Sequence, residues 1–536
     1  MKPSAITALT SLLFLSAVAS SDEHRRRENF LRCLNTFTGG GEASPISHAV
    51  YTPTNSSFNS ILQFSINNLR FASKSTPKPA AIIAPDHESQ VPAVVRCARQ
   101  SELQIRTRSG GHDAEGRSYV SQVPFVVLDL INLSEIEVEV EEKTAWVGAG
   151  STIGGLYYAI AARSRKLGFP AGICSSVGVG GHLSGGGYGC MLRKYGLAAD
   201  NVVGARMVDV NGDILERGKG MSEDVFWAIR GGTAASFGVL LAWKVQLVDV
   251  PEKVVAFSIS RTSEQNATQL IHRWQYIAPK IDHNLFLLTV ISRDHSKQDA
   301  IRASFLAIFL GGVDRLLMLM NENYPELGLV REDCTEMSWI QSTVVSASWF
   351  GYPKGPLEVL RNRRGRAIPY FKSQTDYIQE PISEKGLNRI WRTLYEQEGA
   401  GAVIVLIPYG GRMDEISESS IPFPHRAGNL YSLSPMVFWG EEEDHYSHRY
   451  IEWIRRFHRT MTPYASKSPR VTYFNDRDLD LGVNNDEGDT SYDQASVWGF
   501  KYFKNNFDRL VRAKTIVDPE NFFREEQSIP SLREDV

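Results

Sequence analysis

"PAGICSSVGVGGHLSGGGYG", Pro170–Gly189, places one cysteine and eight glycines in a single run. Such a composition suits neither a helix nor an ordinary strand, because glycine loses more backbone freedom on folding than any other residue. Glycine is favoured where a chain takes positive φ or passes close to another group. The run therefore predicts a loop pressed against something flat or anionic, with Cys174 at its entrance. A second glycine loop, "RTRSGGHDAEGRSY" (Arg106–Tyr119), follows the strand-like "LQIRTRS". Its Ser109, Gly110 and Gly111 can form a nest of successive N–H groups suited to a pyrophosphate. The Rossmann spacing G-x-G-x-x-G is absent, since from Gly178 and Gly180 the sixth position is Leu183. A doubly wound nicotinamide domain is thereby disfavoured.

Two glycine loops, one ending in His112 and the other starting near Cys174, predict a large cofactor gripped at both ends. A zinc site built from His112, His182, Cys174 and Cys190 is the rival reading. Zinc ligands come in tighter pairs, so no metal site is expected. Each histidine taken alone reads as a hydrogen-bonded structural residue.

Around these loops, from about Pro79 to Val250, strands alternate with helices. "AAIIAPD", "LQIRTRS", "FVVLDL" and "TAWVGAG" read as strands, with a helix between Asp86 and Gln100. Ser151 or Thr152 opens the helix "STIGGLYYAIAARSRKLG" and Gly168 closes it. Asn211-Gly212 marks a hairpin, and Ser222 is an N-cap for "SEDVFWAIRGG". "GVLLAWKVQLVDV" reads as one long strand. Beyond Pro251, amphipathic stretches such as "HYSHRYIEWIRRFHRTM" alternate with strands such as "AGAVIVLIP" and "AGNLYSLSPMVFW", predicting a second α+β domain on an antiparallel sheet. Near the C-terminus Phe503, Phe507, Leu510 and Val511 recur at helical spacing, which predicts that the tail docks onto a core, the first domain's.

With 536 residues, the chain suits two large domains or one elaborated one. A net charge of −3 gives no basic excess for nucleic acid. Lys2, the apolar run Ile6–Val18 and Ala17-Val18-Ala19 read as a signal peptide over residues 1–19. No later apolar run reaches the roughly 18 residues of a membrane span. The expectation is a secretory-pathway protein, extracellular, apoplastic or vacuolar, with sequons at Asn55, Asn132 and Asn266. Five cysteines leave one odd. Cys33 and Cys97 would pin the N-terminal segment to the domain body. A free thiol is a liability in an oxidising compartment, which gives Cys174 another covalent fate; the alternative is a buried inert cysteine.

"RSGGHDAEGRSY", "GICSSVGVGGHLSGGGYG", "KYGLAADNV", "FWAIRGG", "PFPHRAGN", "DLDLG" and "VDPENFFREEQSIP" together resemble the plant berberine bridge enzyme-like family, from about Cys33 to Leu532. "FLGGVD", "PELG" and "SPRVTYF" resemble its cannabinoid acid synthases and mulberry-type oxidocyclases and Diels–Alderases most. The resemblance implies an α+β, vanillyl-alcohol-oxidase (PCMH-type) FAD-binding fold. Its FAD domain would span residues 30–252, completed by 475–536, with a substrate domain over 253–474. It also implies a monomer whose FAD is attached through His112 and Cys174. Ser109, Gly110, Gly111, Gly180, Gly181, Gly185 and Gly186 would pass along the cofactor, and Val177 would admit O2.

The chain departs from the family on the strand "NLYSLSPMVFW". Strand parity puts Leu430, Ser432, Ser434 and Met436 on one face. The family's basic or acidic residues would fall at Ser432 and Ser434, and neither serine is an unaided base. The family's tyrosine after Asn475 is here Asp476. One reading makes Asp476 the proton acceptor, with Tyr195 and Arg293 holding a prenylated phenol while FAD oxidises and cyclises it. A second makes the pocket a Diels–Alderase joining a phenolic diene to a chalcone-type dienophile, needing proximity rather than a base. An oligosaccharide oxidase and a flavin-containing binding protein are further alternatives. Asp476 could instead pair with Arg477, Arg293 could be a solvated charge, and Tyr409 is a further pocket residue.

Overall fold

The computed structural model describes residues 22–37 and 46–532. The signal-peptide expectation lies outside these described residues. Four strands form a first sheet in the order Val50–Tyr51, Ile82–Ile83, Phe125–Asp129, Gln104–Arg108. Phe125–Asp129 runs parallel to both neighbours and is buried at all five positions. Its apolar run Phe125–Leu128 is what a strand covered on both faces requires, and the buried Asp129 that ends it pairs with Arg108. A second sheet orders Gly220–Met221, Ile214–Arg217, Val202–Val208, Val239–Gln246, Thr144–Gly148 and Ile136–Glu139. The Asn211-Gly212 hairpin joins two of these strands, with Gly212 at φ +76°.

Several local expectations shift. The helix capped by Thr152 is Ile153–Arg163 and ends at Ser164, where the backbone turns extended. Gly168 instead sits in the short strand Leu167–Gly168, paired with Val248–Asp249. The predicted long strand therefore divides after Gln246 between two sheets. The C-terminal aromatics belong to two helices, Tyr492–Phe503 and Asn506–Val517, separated at Lys504, whose φ is +46°. Trp498, Tyr502, Phe507 and Leu510 pack into the same core as Val126, Val147 and Trp243. Burying these large apolar side chains ties the tail to the first two sheets.

Beyond residue 253 an antiparallel sheet runs Cys334–Met337, Val254–Thr262, Ile301–Phe309, Leu285–Arg293, Ala402–Pro408, Tyr431–Trp439, Tyr370–Ser373. Asp376–Ile378 also pairs with Tyr431–Trp439. The alternation of strand side chains decides what each face does. Ile404, Leu406, Leu433 and Val437 face a core containing Trp274, Trp391 and Trp453 from three covering helices. Val403, Val405, Ser434 and Met436 face the other way, into a cavity. Leu430 precedes the strand and packs on the helix side, so it does not share the face of Ser434.

A disulfide joins Cys33, in the helix over 22–36, to Cys97 in Val91–Gln100. Asn55, Asn132 and Asn266 are exposed. Among the described residues no helix is long and apolar enough to cross a membrane.

Candidate functional site

A cavity of about 660 Å³ runs from the two glycine loops to the face of the antiparallel sheet. The second glycine run is not loop throughout, since Val179–Ser184 forms a short helix that carries Gly180 and Gly181. The two glycine segments are built against each other. A Cβ on Gly110 would lie 2.3 Å from the Gly178 nitrogen, and one on Gly185 would lie 2.0 Å from Asn475 Oδ1. These glycines therefore serve close packing of backbone on protein. Gly181 is different, since a Cβ there would meet nothing within 4 Å and its residue lines the cavity. Ser109, Gly110, Gly111, Gly180 and Gly185 also line it. Gly186 does not; it packs under Phe423 with φ +114°.

His112 and Cys174 both border the cavity, together with Val177 and Arg366. His112 Nε2 lies 2.9 Å from Ser176 Oγ, which lies 2.6 Å from the Tyr352 hydroxyl. Burial, reinforced by the Arg366 cation, lowers the His112 pKa to about 3, so the imidazole is neutral. Burial pushes the Cys174 thiol up, while Arg366 and the Tyr352 hydroxyl oppose that.

At the sheet end, Asp476 accepts a 2.5 Å hydrogen bond from Thr375 Oγ1, and Ser434 Oγ lies 3.5 Å from the same oxygen. Thr375 and Ser434 are themselves 2.9 Å apart. Burial raises the Asp476 carboxyl above its ordinary value, and the two hydroxyls pull it part of the way back. Arg477 is not its partner, because that guanidinium pairs with Asp113 and Glu525. The surrounding wall is apolar, with Val290, Trp349, Phe350, Val405, Ile407 and Met436.

Two protein families match the chain: one described as FAD binding domain over residues 79–218, and one described as berberine and berberine like over 472–530. Tetrahydroberberine oxidase of Berberis wilsoniae is 49% identical over 530 residues, covering 98% of this chain and 97% of its own length. Cannabidiolic acid synthase-like 1 of Cannabis sativa is 45% identical over 515 residues, 94% of each chain. The chain belongs to the berberine bridge enzyme-like family. The solved structure of berberine bridge enzyme-like 28 from Arabidopsis thaliana matches with a TM-score of 0.88 at 47% identity, over 94% of this chain and all of that one, 100%. Relatives of this chain include FAD-linked oxidoreductases, such as the tetrahydroberberine oxidase of Berberis wilsoniae.

The residues of this berberine bridge enzyme-like chain fit FAD. The N–H groups of Ser109, Gly110, Gly111 and His112 meet no acceptor among the described residues, which leaves them for an anionic ligand. His182 Nε2 borders the same cavity, buried and without a hydrogen-bond partner. The space over Gly181 gives a flat ring room against the backbone.

Two predicted residues lie elsewhere in this berberine bridge enzyme-like fold. Tyr195 turns from the cavity and donates to the Asp249 carbonyl across 2.5 Å. Arg293, at the far end of its strand, donates to the Tyr395 carbonyl at 3.2 Å. Tyr409 is buried behind the wall, its hydroxyl 3.0 Å from that of Tyr377. Sequence reading missed Tyr188, which borders the cavity with its ring 4.9 Å from Tyr473. Its place inside "GGGYG" was the available signal. Arg366, Tyr352 and Thr375 carry no local signal at all. Among the described residues no cluster of three or more His, Cys, Asp or Glu side chains is placed to hold a metal ion.

Proposed function

We propose that the chain is a secreted oxidase that uses FAD attached through His112 and Cys174 to oxidise, and thereby cyclise, a prenylated phenol, with O2 as electron acceptor. One observation carries this reading. A single cavity connects the neutral His112 and Cys174 to a half-buried carboxylate, Asp476, across apolar walls. FAD bound there supplies a two-electron acceptor.

Asp476 takes the proton of the substrate hydroxyl or of the C–H bond being oxidised. Its raised pKa makes it a stronger base than an exposed carboxylate. Thr375 and Ser434 hold the carboxylate in one orientation, so Ser434 works through the displaced acid, whereas Ser432 lies off the cavity with its hydroxyl unpartnered among the described residues. Trp349, Phe350, Val405 and Met436 favour a prenyl-bearing aromatic substrate and exclude water. That wall offers an oligosaccharide few hydrogen-bonding partners. Val177 lines the same cavity as the attachment residues, where it would control the access of O2. The exposed Asn55, Asn132 and Asn266 are available to glycans.

The test is to mix the purified protein with prenylated phenols, chalcones and oligosaccharides under argon while following flavin absorbance and product mass. Bleaching by a prenylated phenol with a product two hydrogens lighter supports oxidation. A cycloadduct formed without bleaching, or bleaching by an oligosaccharide alone, overturns it.

A further inference from the structure

We propose that a second cavity, separate from the flavin site and framed by Lys194 and Arg230, binds a small multiply charged oxyanion, a phosphate or a dicarboxylate. The cavity measures about 360 Å³ and lies between residues 194–201, Arg230 and the stretch 412–421. That volume falls within the range of small-ligand sites, about 300–1,000 Å³. No residue lines both this cavity and the one that holds His112 and Cys174.

Four charged side chains line the second cavity, and their pairing leaves a positive surplus. Arg426 neutralises Asp200, donating to its two carboxylate oxygens at 2.7 and 2.9 Å. Glu415 neutralises Arg412 at 2.9 Å. Lys194 and Arg230 form no ion pair among the described residues. The carboxylates that attract them from farther away are Asp282 for Lys194, and Asp200 and Glu223 for Arg230. Each of these is held by another arginine: Asp282 by Arg315, Asp200 by Arg426 and Glu223 by Arg217.

The two cations are already positioned. Arg230 donates from Nε to the Phe226 carbonyl at 3.1 Å and from Nη1 to the Val202 carbonyl at 3.4 Å, with its guanidinium 4.1 Å over the Phe226 ring. Its Nη2 has no acceptor among the described residues. The Lys194 ammonium stands 5.3 Å over the ring of Tyr195, whose hydroxyl is tied to the Asp249 carbonyl. A guanidinium fork beside an ammonium suits an oxyanion, because charge-assisted hydrogen bonds are the strong ones. Burial lowers the pKa of both groups, that of Arg230 to about 10 with the like charge of Arg217 adding to it. Both stay charged at neutral pH, and a bound anion offsets the cost of burying them. Gly231 and Thr233, just after Arg230, donate to the Ser184 carbonyl at 2.8 and 3.0 Å. Ser184 and Thr233 line the flavin-site cavity, so the anion site backs onto its wall.

The test uses the full chain purified with its flavin in phosphate-free buffer at fixed ionic strength, titrated calorimetrically with inorganic phosphate and, separately, with malonate. One saturable site is expected for at least one of them, and the tighter probe tells a phosphate ligand from a dicarboxylate. Lys194→Gln removes an ammonium that makes no hydrogen bond, so the variant is expected to fold, and its affinity should drop at least about tenfold. Equal affinity in Lys194→Gln and wild type overturns the proposal, since the anion would then sit elsewhere, as on the N–H groups of Ser109–Gly111. No saturable binding of either probe by wild type overturns it as well. Thermal unfolding gives an independent reading. The bound probe should raise the wild-type midpoint more than that of Lys194→Gln, and an equal rise in both overturns the site.

Discussion

Thr375 Oγ1 donates to the Asp476 carboxylate across 2.5 Å, although the two residues are 101 positions apart. That bond holds a cavity-lining carboxylate beside Ser434 on the strand Tyr431–Trp439. It ties a proton acceptor to the face where the substrate would lie.

Asp476→Asn removes the base while keeping its shape. Flavin reduction by a phenolic substrate is expected to slow by about a hundredfold to ten-thousandfold. Thermal stability should hold or rise, because burial disfavours the ionised carboxyl. Near-normal reduction measured by stopped flow would remove Asp476 from the mechanism.

The same carboxyl sets a pH dependence. Asp476 works as a base only when ionised, and its pKa is raised above 3.8. The rate of flavin reduction should therefore fall with decreasing pH at values above the ordinary carboxylate range. Thr375→Val removes a bond that favours the ionised form, so the acid limb moves to higher pH. A limb that stays in place, or moves down, contradicts the assignment.

Glycine substitutions should separate packing from cofactor contact. Gly110→Ala forces a Cβ to 2.3 Å from the Gly178 nitrogen and should cost about 1–3 kcal/mol or more of stability, read by denaturant unfolding. Gly181→Ala meets open space and should fold normally, yet lose flavin content because its methyl enters the cavity. Equal flavin content in Gly181→Ala and wild type would place the ring elsewhere.

Lys372 joins the sheet around the cavity to the C-terminal segment, bonding Asp478 at 2.6 Å and also Glu115. All three side chains are at most 5% exposed. Lys372→Met removes the cation shared by the two buried carboxylates, leaving Glu115 only the longer Arg70 contact at 3.7 Å, and should cost about 3–5 kcal/mol. Unchanged unfolding in denaturant would show that water or other cations already satisfy them.

What was legible in the sequence was whatever the chemistry writes locally. The glycine loops, the Thr152 and Ser222 caps and the Asn211-Gly212 hairpin each need only neighbouring residues. Asp476 was visible because the motif around it is contiguous. Tyr188 and Tyr195 show the limit: one ends the glycine run and the other follows it, and only the fold turns Tyr195 to Asp249 and Tyr188 into the cavity. Ser434 reads as a lost function until Thr375 and Asp476 are placed beside it. Tyr352 reaches Ser176 through tertiary packing alone, which no spacing rule encodes.

Oxidation by a bound flavin is tested most directly by anaerobic mixing of the yellow protein with a prenylated phenol, followed by admission of air. The expected result is bleaching in step with a product two hydrogens lighter, then recovery of colour with one hydrogen peroxide for each product. Full product formation under argon, with the flavin absorbance unchanged and no peroxide on aeration, would contradict it.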